Sequence, residues 1–291
     1  AKFSSICRLT ASGTPAAALV ARVQVNRVWQ QLFGVGLVET SDNFGVNGAR
    51  PTHPELLEWL AGEYVRGGWR LKPIIRTIMS SAVYRQSSAT PETLNVARAI
   101  KADPGNHLLW HQRLRRLDSE SIRDALLAVS GQLNSAMGGP AIPIQSRPDG
   151  MAVINEKEST AGDAARRSLY LLQRRNYNHS FLAAFDQPVM ALNCIRRSPS
   201  AMVSQSLAML NDSFVTGASE KLADRILGMT GVPEGRDHRG EISLPFILAL
   251  SRNPSAEEAE WCTALLQRQV QRHLATGLHA GEAHRKALAN V

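Results

Sequence analysis

Groups able to carry chemistry gather at three places in the chain. The first is Thr52-His53-Pro54-Glu55. A histidine beside a glutamate invites an acid–base or metal reading. A metalloprotease helix, however, places a second His four residues on with Glu between, and no second His lies near. Thr52, Pro54 and Glu55 are accounted for as a capping box with proline in the first helical turn. That leaves His53 as a candidate catalytic group. The second place is Asp118, Glu120, Arg123 and Asp124, which follow the basic run Arg113-Leu-Arg115-Arg116. Three carboxylates so close could form a general acid–base pair or a hard-metal site. At helical spacing, Glu120 and Asp124 also share a face with Arg123 beside them, as paired surface groups in a first turn do. The third place spans 166–197, where Arg166, Arg167, Arg174, Arg175, Arg196 and Arg197 face a single acid, Asp186, for a local net charge of +5. Tyr170, Asn176, Tyr177, Asn178, His179 and Phe181 are interleaved with them. Arginine forks among aromatic platforms suit a phosphorylated, sulfated or carboxylated polymer. The same arginines could instead satisfy loop and helix-end carbonyls. The candidate ligand-binding residues are these six arginines with Tyr177. The candidate catalytic residues are His53, Asp118, Glu120, Asp186 and Asp212, and no metal site is expected.

Composition narrows the field. The chain has 291 residues, 33 Lys+Arg against 25 Asp+Glu, and hence a net charge of +8. Of the basic residues 27 are Arg and 6 are Lys, a skew that a GC-rich coding sequence explains and that leaves anion binding open. The content of 44% hydrophobic and 20% charged residues is that of a globular chain with ample core. No run approaches the roughly 18 apolar residues of a membrane helix. Cys7, Cys194 and Cys262 are far apart and form no CxxC, haem-attachment or zinc spacing, so a disulfide-stapled scaffold is excluded. Phosphate loops, dinucleotide fingerprints and nucleophile elbows are absent from the sequence. The chain opens on Ala1, which reads as a piece of a longer protein.

Mostly helical elements must position these groups. The pattern predicts a helix over 15–33 with Val20, Val23, Val28, Leu32 and Phe33 inward, ended by Gly34 and Gly36. A second helix follows the Thr52 box through Leu56, Leu57, Leu60 and Tyr64, and a third covers 73–84. Residues 86–107 read as a polar connector. Asp118 is placed to cap a helix through Val129, closed by Gly131. The Gly/Pro-rich stretch 134–165 reads as an internal boundary. Residues 168–173 are the best strand. Helices are expected over 200–210 and 215–227, and from a second capping box at Ser255–Glu258 to Gly277 with Trp261, Leu265 and Val270 inward. The expected fold is mainly α, a multi-helix two-lobed assembly with one or two short strands. Its parts are an N-terminal lobe 15–133, a connector 134–165 and an Arg-rich lobe 166–276.

Ordered segments carry a family resemblance. They include Asn26-Arg-Val-Trp29 with Phe33-Gly34, Asp42-Asn-Phe-Gly45 before Thr52-His-Pro-Glu-Leu-Leu57, and Ser80-Ser-Ala-Val-Tyr84-Arg85. Later come Arg115-Arg-Leu-Asp118, Arg167-Ser-Leu-Tyr170, Phe185-Asp186, Cys194 with Arg196-Arg197, and Gln205-Ser-Leu-Ala-Met-Leu-Asn-Asp212. From about residue 22 to 270 the chain resembles the planctomycete-specific domain of unknown function fifteen-fifty-three. That resemblance implies upstream cytochrome c-like and sister domains in one exported polypeptide, periplasmic or at the cell surface. Any haem would lie upstream, with no cofactor in this chain. The resemblance implies no activity. Two functions are therefore carried forward. One is an accessory domain binding an acidic glycan or other anionic polymer. The other is a hydrolase using glycoside-type acid–base chemistry with a partner domain. Nucleic acid is disfavoured by the implied export.

Overall fold

The computed structural model describes residues 13–89, 94–160, 162–174, 176–188, 197, 200, 202–230 and 238–291. Among them are eleven α-helices and one two-stranded antiparallel sheet, so the fold is mainly α with short strands. The chain divides into two compact units between Arg116 and Leu117. Residues 117–133 and the 134–165 stretch thus fold within the second unit.

In the first unit, α1 (Pro15–Phe33), α2 (Pro54–Arg66) and α3 (Leu71–Met79) build one core, and α4 (Leu94–Ala102) follows. The Thr14 hydroxyl accepts from the Ala17 amide, Pro15 opens α1, and Gly34 closes it in the left-handed conformation. The buried face of α1 is Ala17, Ala21, Val25, Trp29 and Phe33; of the stripe expected from spacing, Phe33 is buried and Val28 and Leu32 pack against the core from its edge, while Val20 and Val23 stand outside it. Two polar residues explain the rotation. Asn26 is fully buried, donates to the Val38 carbonyl and accepts from the Val38 amide. Gln30 takes the Ser41 hydroxyl. The α1 face must therefore point these amides at the 37–41 loop as well as fill the core. Trp29 stacks on Phe33 at 4.2 Å, and Phe33 meets the edge of Tyr84 at 5.6 Å.

Gly36 lets this loop close over Asn26. A Cβ there would sit 2.6 Å from both Asn26 Nδ2 and the Val38 carbonyl oxygen. Gly36→Ala is expected to destabilise the first unit by about 1–2 kcal/mol through overpacking, read as a lowered urea midpoint at unchanged slope.

Three local expectations are corrected here. The Thr52 capping box does not form: His53 is the N-cap residue of α2 and makes no side-chain cap bond. Thr52 Oγ1 instead donates to the Leu37 carbonyl and pairs with His53 Nδ1 at 3.0 Å. The 73–84 helix stops at Met79 because Ser81 donates to the Ile78 carbonyl and accepts from the Tyr84 amide, folding 80–85 into turns. The 86–107 connector contains α4, a helix that its polar composition concealed.

The second unit begins with α5 (Ser119–Val129), followed by β1 (Ile144–Ser146) and β2 (Ala152–Ile154), paired with Ile144 opposite Ile154. Next come α6 (Ser180–Ala184), α7 (Val203–Asn211), α8 (Ser213–Thr230), α9 (Arg239–Leu250), α10 (Ala256–Ala275) and α11 (Ala280–Ala289). One core cluster gathers Ile142, Leu171, Phe181, Leu182, Phe185 and Val215. Another gathers Ala223, Ile226, Leu266, Ala287 and Leu288. Helix α8 serves both, with Val215 in the first and Ala223 and Ile226 in the second.

The Ser255 capping box forms as expected, with Ser255 Oγ accepting from the Glu258 amide and Glu258 reaching back to the Ser255 amide. Along α10, Trp261 is not inward. It is 62% exposed, and the fully buried residue of this helix is Leu266. The 168–173 strand is also corrected. Ser168–Tyr170 is a 3-10 turn, and only Leu171 makes a bridge, to Ile142. Asp124 of α5 takes the Ser168 amide, and the strand-like pairing is confined to Ile142, whose amide and carbonyl bond Tyr170 and Leu172.

Candidate functional site

Helix α5 organises the charged region of the second unit. Arg123 is buried at 1% exposure, so its planar fork must find acceptors inside the protein. Nη1 donates to the Arg166 carbonyl at 2.9 Å and to Ser168 Oγ at 3.2 Å, and Nη2 donates to the Ala164 carbonyl at 2.6 Å. The guanidinium also lies 5.4 Å from the Phe214 ring centre. Burial pushes its pKa down, partly offset by the Asp124 carboxylate 3.8 Å away. One turn face further round, Asp124 accepts from the Ser168 amide at 2.6 Å and from Arg167 Nε at 3.3 Å. The result is a clamp that fixes residues 164–168.

The candidate arginines divide into distinct roles on this frame. Arg166 is buried at 6% and donates to the Ala136 and Gly138 carbonyls while covering the Tyr170 ring at 4.0 Å. It is thus a latch for the glycine-rich 136–139 loop. Arg197 forms a two-pronged pair with Glu120 at 2.5 and 2.9 Å, with Asp118 at 3.8 Å. Burial, the largest single cause, pushes the Glu120 carboxyl up, but the hydrogen bonds from Arg197, its own backbone amide and Ser119, with the Arg197 charge, together outweigh it and hold that pKa below its ordinary value. Arg167, although paired with Asp124, keeps 59% of its side chain in solvent. Arg174 is exposed and lies 5.7 Å from the Tyr177 ring centre, and the Tyr177 hydroxyl reaches the Ile144 carbonyl. Arg175 and Arg196 lie outside the described residues, as do Cys7 and Cys194.

The candidate catalytic carboxylates are each engaged in holding backbone or arginine. Asp118 stands at the N-cap of α5 without making the expected cap bond, its carboxylate turned toward Arg197. Asp186, at φ +62°, accepts from the Ser200 amide and hydroxyl and from Gln205 Nε2. Asp212 caps α8 by accepting from the Phe214 amide at 2.8 Å. His53 belongs to the first unit. Structure therefore brings Asp118 and Glu120 together on Arg197 and gives Asp186 and Asp212 separate tasks.

Beside Arg174 lies a shallow depression of about 170 Å³, lined by Leu171, Gln173, Asn178, His179, Leu182 and Gln187 among others. Open to solvent on one side, it is too shallow to enclose a small molecule. His179 Nδ1 and Gln187 Oε1 are buried at its wall and make no hydrogen bond. Sequence reasoning named His179 only as an interleaved group. Burial first, and then the charge of Arg123, far off in the chain, push the imidazole down to about 4.

A model of the family described as "PSD1: Protein of unknown function (DUF1553)" matches residues 11–266. The chain belongs to this family. The DUF1553 match takes in α1 through most of α10 and hence every candidate residue named from the sequence. No curated protein and no solved structure matches the chain. Among the described residues, no helix is long and apolar enough to cross a membrane.

Proposed function

We propose that this DUF1553 chain is a non-catalytic accessory module of an exported multidomain protein, and that it binds an anionic polymer of the acidic or sulfated glycan class. The observation that carries the reading is the division of labour around 163–177. Arg166, Arg197 and the candidate carboxylates are spent on internal contacts, while Arg167 keeps most of its side chain in solvent despite its Asp124 contact and the exposed Arg174 lies beside the Tyr177 ring. Exposed arginine forks with an aromatic platform can meet sulfate or carboxylate groups spaced along a chain without a deep pocket. Arg175 and Arg196 belong to the same basic segment. Export and upstream cytochrome c-like and sister domains rest on the family resemblance.

The test is calorimetric titration of the chain with a sulfated oligosaccharide at low salt, compared with Arg167→Ala/Arg174→Ala. Loss of two partly solvated charge-assisted contacts predicts an affinity drop of about tenfold. Equal affinity in the variant would remove the proposed surface. Arg167→Ala gives up one contact of the clamp, Arg167 Nε to Asp124, but the Arg123 hydrogen bonds and the Ser168 amide on Asp124 remain, and an unchanged urea midpoint checks that the variant keeps its fold.

A further inference from the structure

We infer that His238, Glu241 and His284 form a binding site for one zinc-class divalent metal ion, independent of the polyanion surface. His238 and Glu241 stand at the start of α9 three residues apart, which places them on one helix face. His284 comes from the middle of α11, 43 residues further along the chain. The Glu241 carboxylate is 2% exposed, and its oxygens are divided: Oε2 lies 2.9 Å from His238 Nδ1 and Oε1 lies 2.9 Å from His284 Nε2. The two rings are nearly parallel, with centres 5.3 Å apart.

The three donor atoms all lie within 4.8 Å of one another. Ligand atoms on a tetrahedral zinc with bonds of about 2.0–2.1 Å stand about 3.3 Å apart, so the carboxylate need only draw back from the rings and the rings close in by fractions of an ångström to a little over one. Two imidazoles and one carboxylate are a borderline nitrogen–oxygen set, suited to zinc and its transition-metal neighbours and not to calcium or magnesium, which take oxygens.

Charge supports the same reading. Among the described residues, the ion-pair partners of Glu241 are the two imidazoles, with no lysine or arginine. Without a metal, both 2.9 Å contacts need a proton on each facing nitrogen. A divalent ion replaces those protons and neutralises the buried carboxylate directly. The histidine side chains keep 14% and 13% of their surface exposed, leaving a rim through which an ion enters and a water completes the fourth position.

The experiment strips the full chain with chelator and titrates zinc while following heat uptake and the unfolding midpoint. One zinc is expected to bind with a midpoint rise of several degrees, whereas calcium leaves the midpoint unchanged. His284→Gln keeps a donor N–H for Glu241 but removes the imidazole ligand. It is expected to weaken zinc binding by about 100-fold or more, beyond what loss of an outer-shell partner does, and to abolish the midpoint rise. Zinc binding and midpoint equal in wild type and His284→Gln, or no zinc uptake by wild type, would overturn the site. If the variant does not fold, cobalt(II) added to the wild-type chain decides. Intense visible bands of a four-coordinate ion support the site, and their absence refutes it.

Discussion

Replacing Arg123 with alanine is expected to lower the stability of the second unit by about 3–5 kcal/mol, a large effect for one side chain. The guanidinium is 1% exposed and is the shared donor for the Arg166 and Ala164 carbonyls and the Ser168 hydroxyl. Alanine removes all three donors, strands those acceptors in a dry environment, opens a cavity beside Phe214 and leaves Asp124 without its neighbour. Arg123→Lys separates charge from geometry. A lysine supplies the charge but not the fork that reaches Ala164 and Arg166 together, so about half the loss is expected to remain. Denaturant unfolding monitored by far-UV circular dichroism reads both. A loss below about 1 kcal/mol for Arg123→Ala would mean that the 164–168 backbone holds itself in place.

The second large effect is a dependence on pH centred on His179. Its folded pKa is pushed down to about 4 by burial and by the Arg123 charge, against 6.5 for an ordinary imidazole. Between those values the unfolded chain takes up a proton that the folded chain refuses. Stability is therefore full above about pH 6.5 and falls as the pH drops toward 4. The ring is only partly withdrawn from water, so the expected loss is roughly 2–3 kcal/mol across that window. His179→Gln cannot titrate there. The difference between wild type and His179→Gln, measured by urea unfolding at several pH values, is expected to vary with pH in that window alone. A difference that is flat from pH 7 to 4 would refute the assignment. Because Arg123 contributes to the shift, Arg123→Lys, which keeps the charge nearby, should preserve most of the slope.

Local signals were legible in the chain and distant ones were not. Gly34 ending α1 and the Ser255 box opening α10 depend on residues within one turn, and both form as their spacing implies. The Thr52 box has equally good spacing, yet it fails because the helix starts one residue later with His53 at its N-cap, while the Thr52 amide and hydroxyl both donate to the Leu37 carbonyl, fifteen residues away. Residues 168–173 have strand-like composition, but Asp124 takes the Ser168 amide and Arg123 the Ser168 hydroxyl, so the segment starts as a turn and pairs only around Leu171. Six arginines are equivalent by residue type alone. What separates the buried Arg166 from the exposed Arg167 is a pair of loop carbonyls at Ala136 and Gly138, near in space and remote in sequence. The His238–Glu241–His284 cluster was invisible for the same reason, since its third member is on another helix. The mainly helical class, by contrast, needed only the summed periodicity of many segments.

The central claim is that exposed arginines of the second unit meet a polyanion by charge, without a deep pocket. Its most direct measurement is the affinity of the intact chain for a sulfated oligosaccharide as a function of salt concentration. Counterion release predicts a linear fall of log affinity against log salt, with a slope of about 2 or more from Arg167, Arg174 and their basic neighbours. The slope in Arg167→Ala/Arg174→Ala should be shallower by about 2. An affinity independent of salt, or a slope unchanged in that variant, would contradict the account.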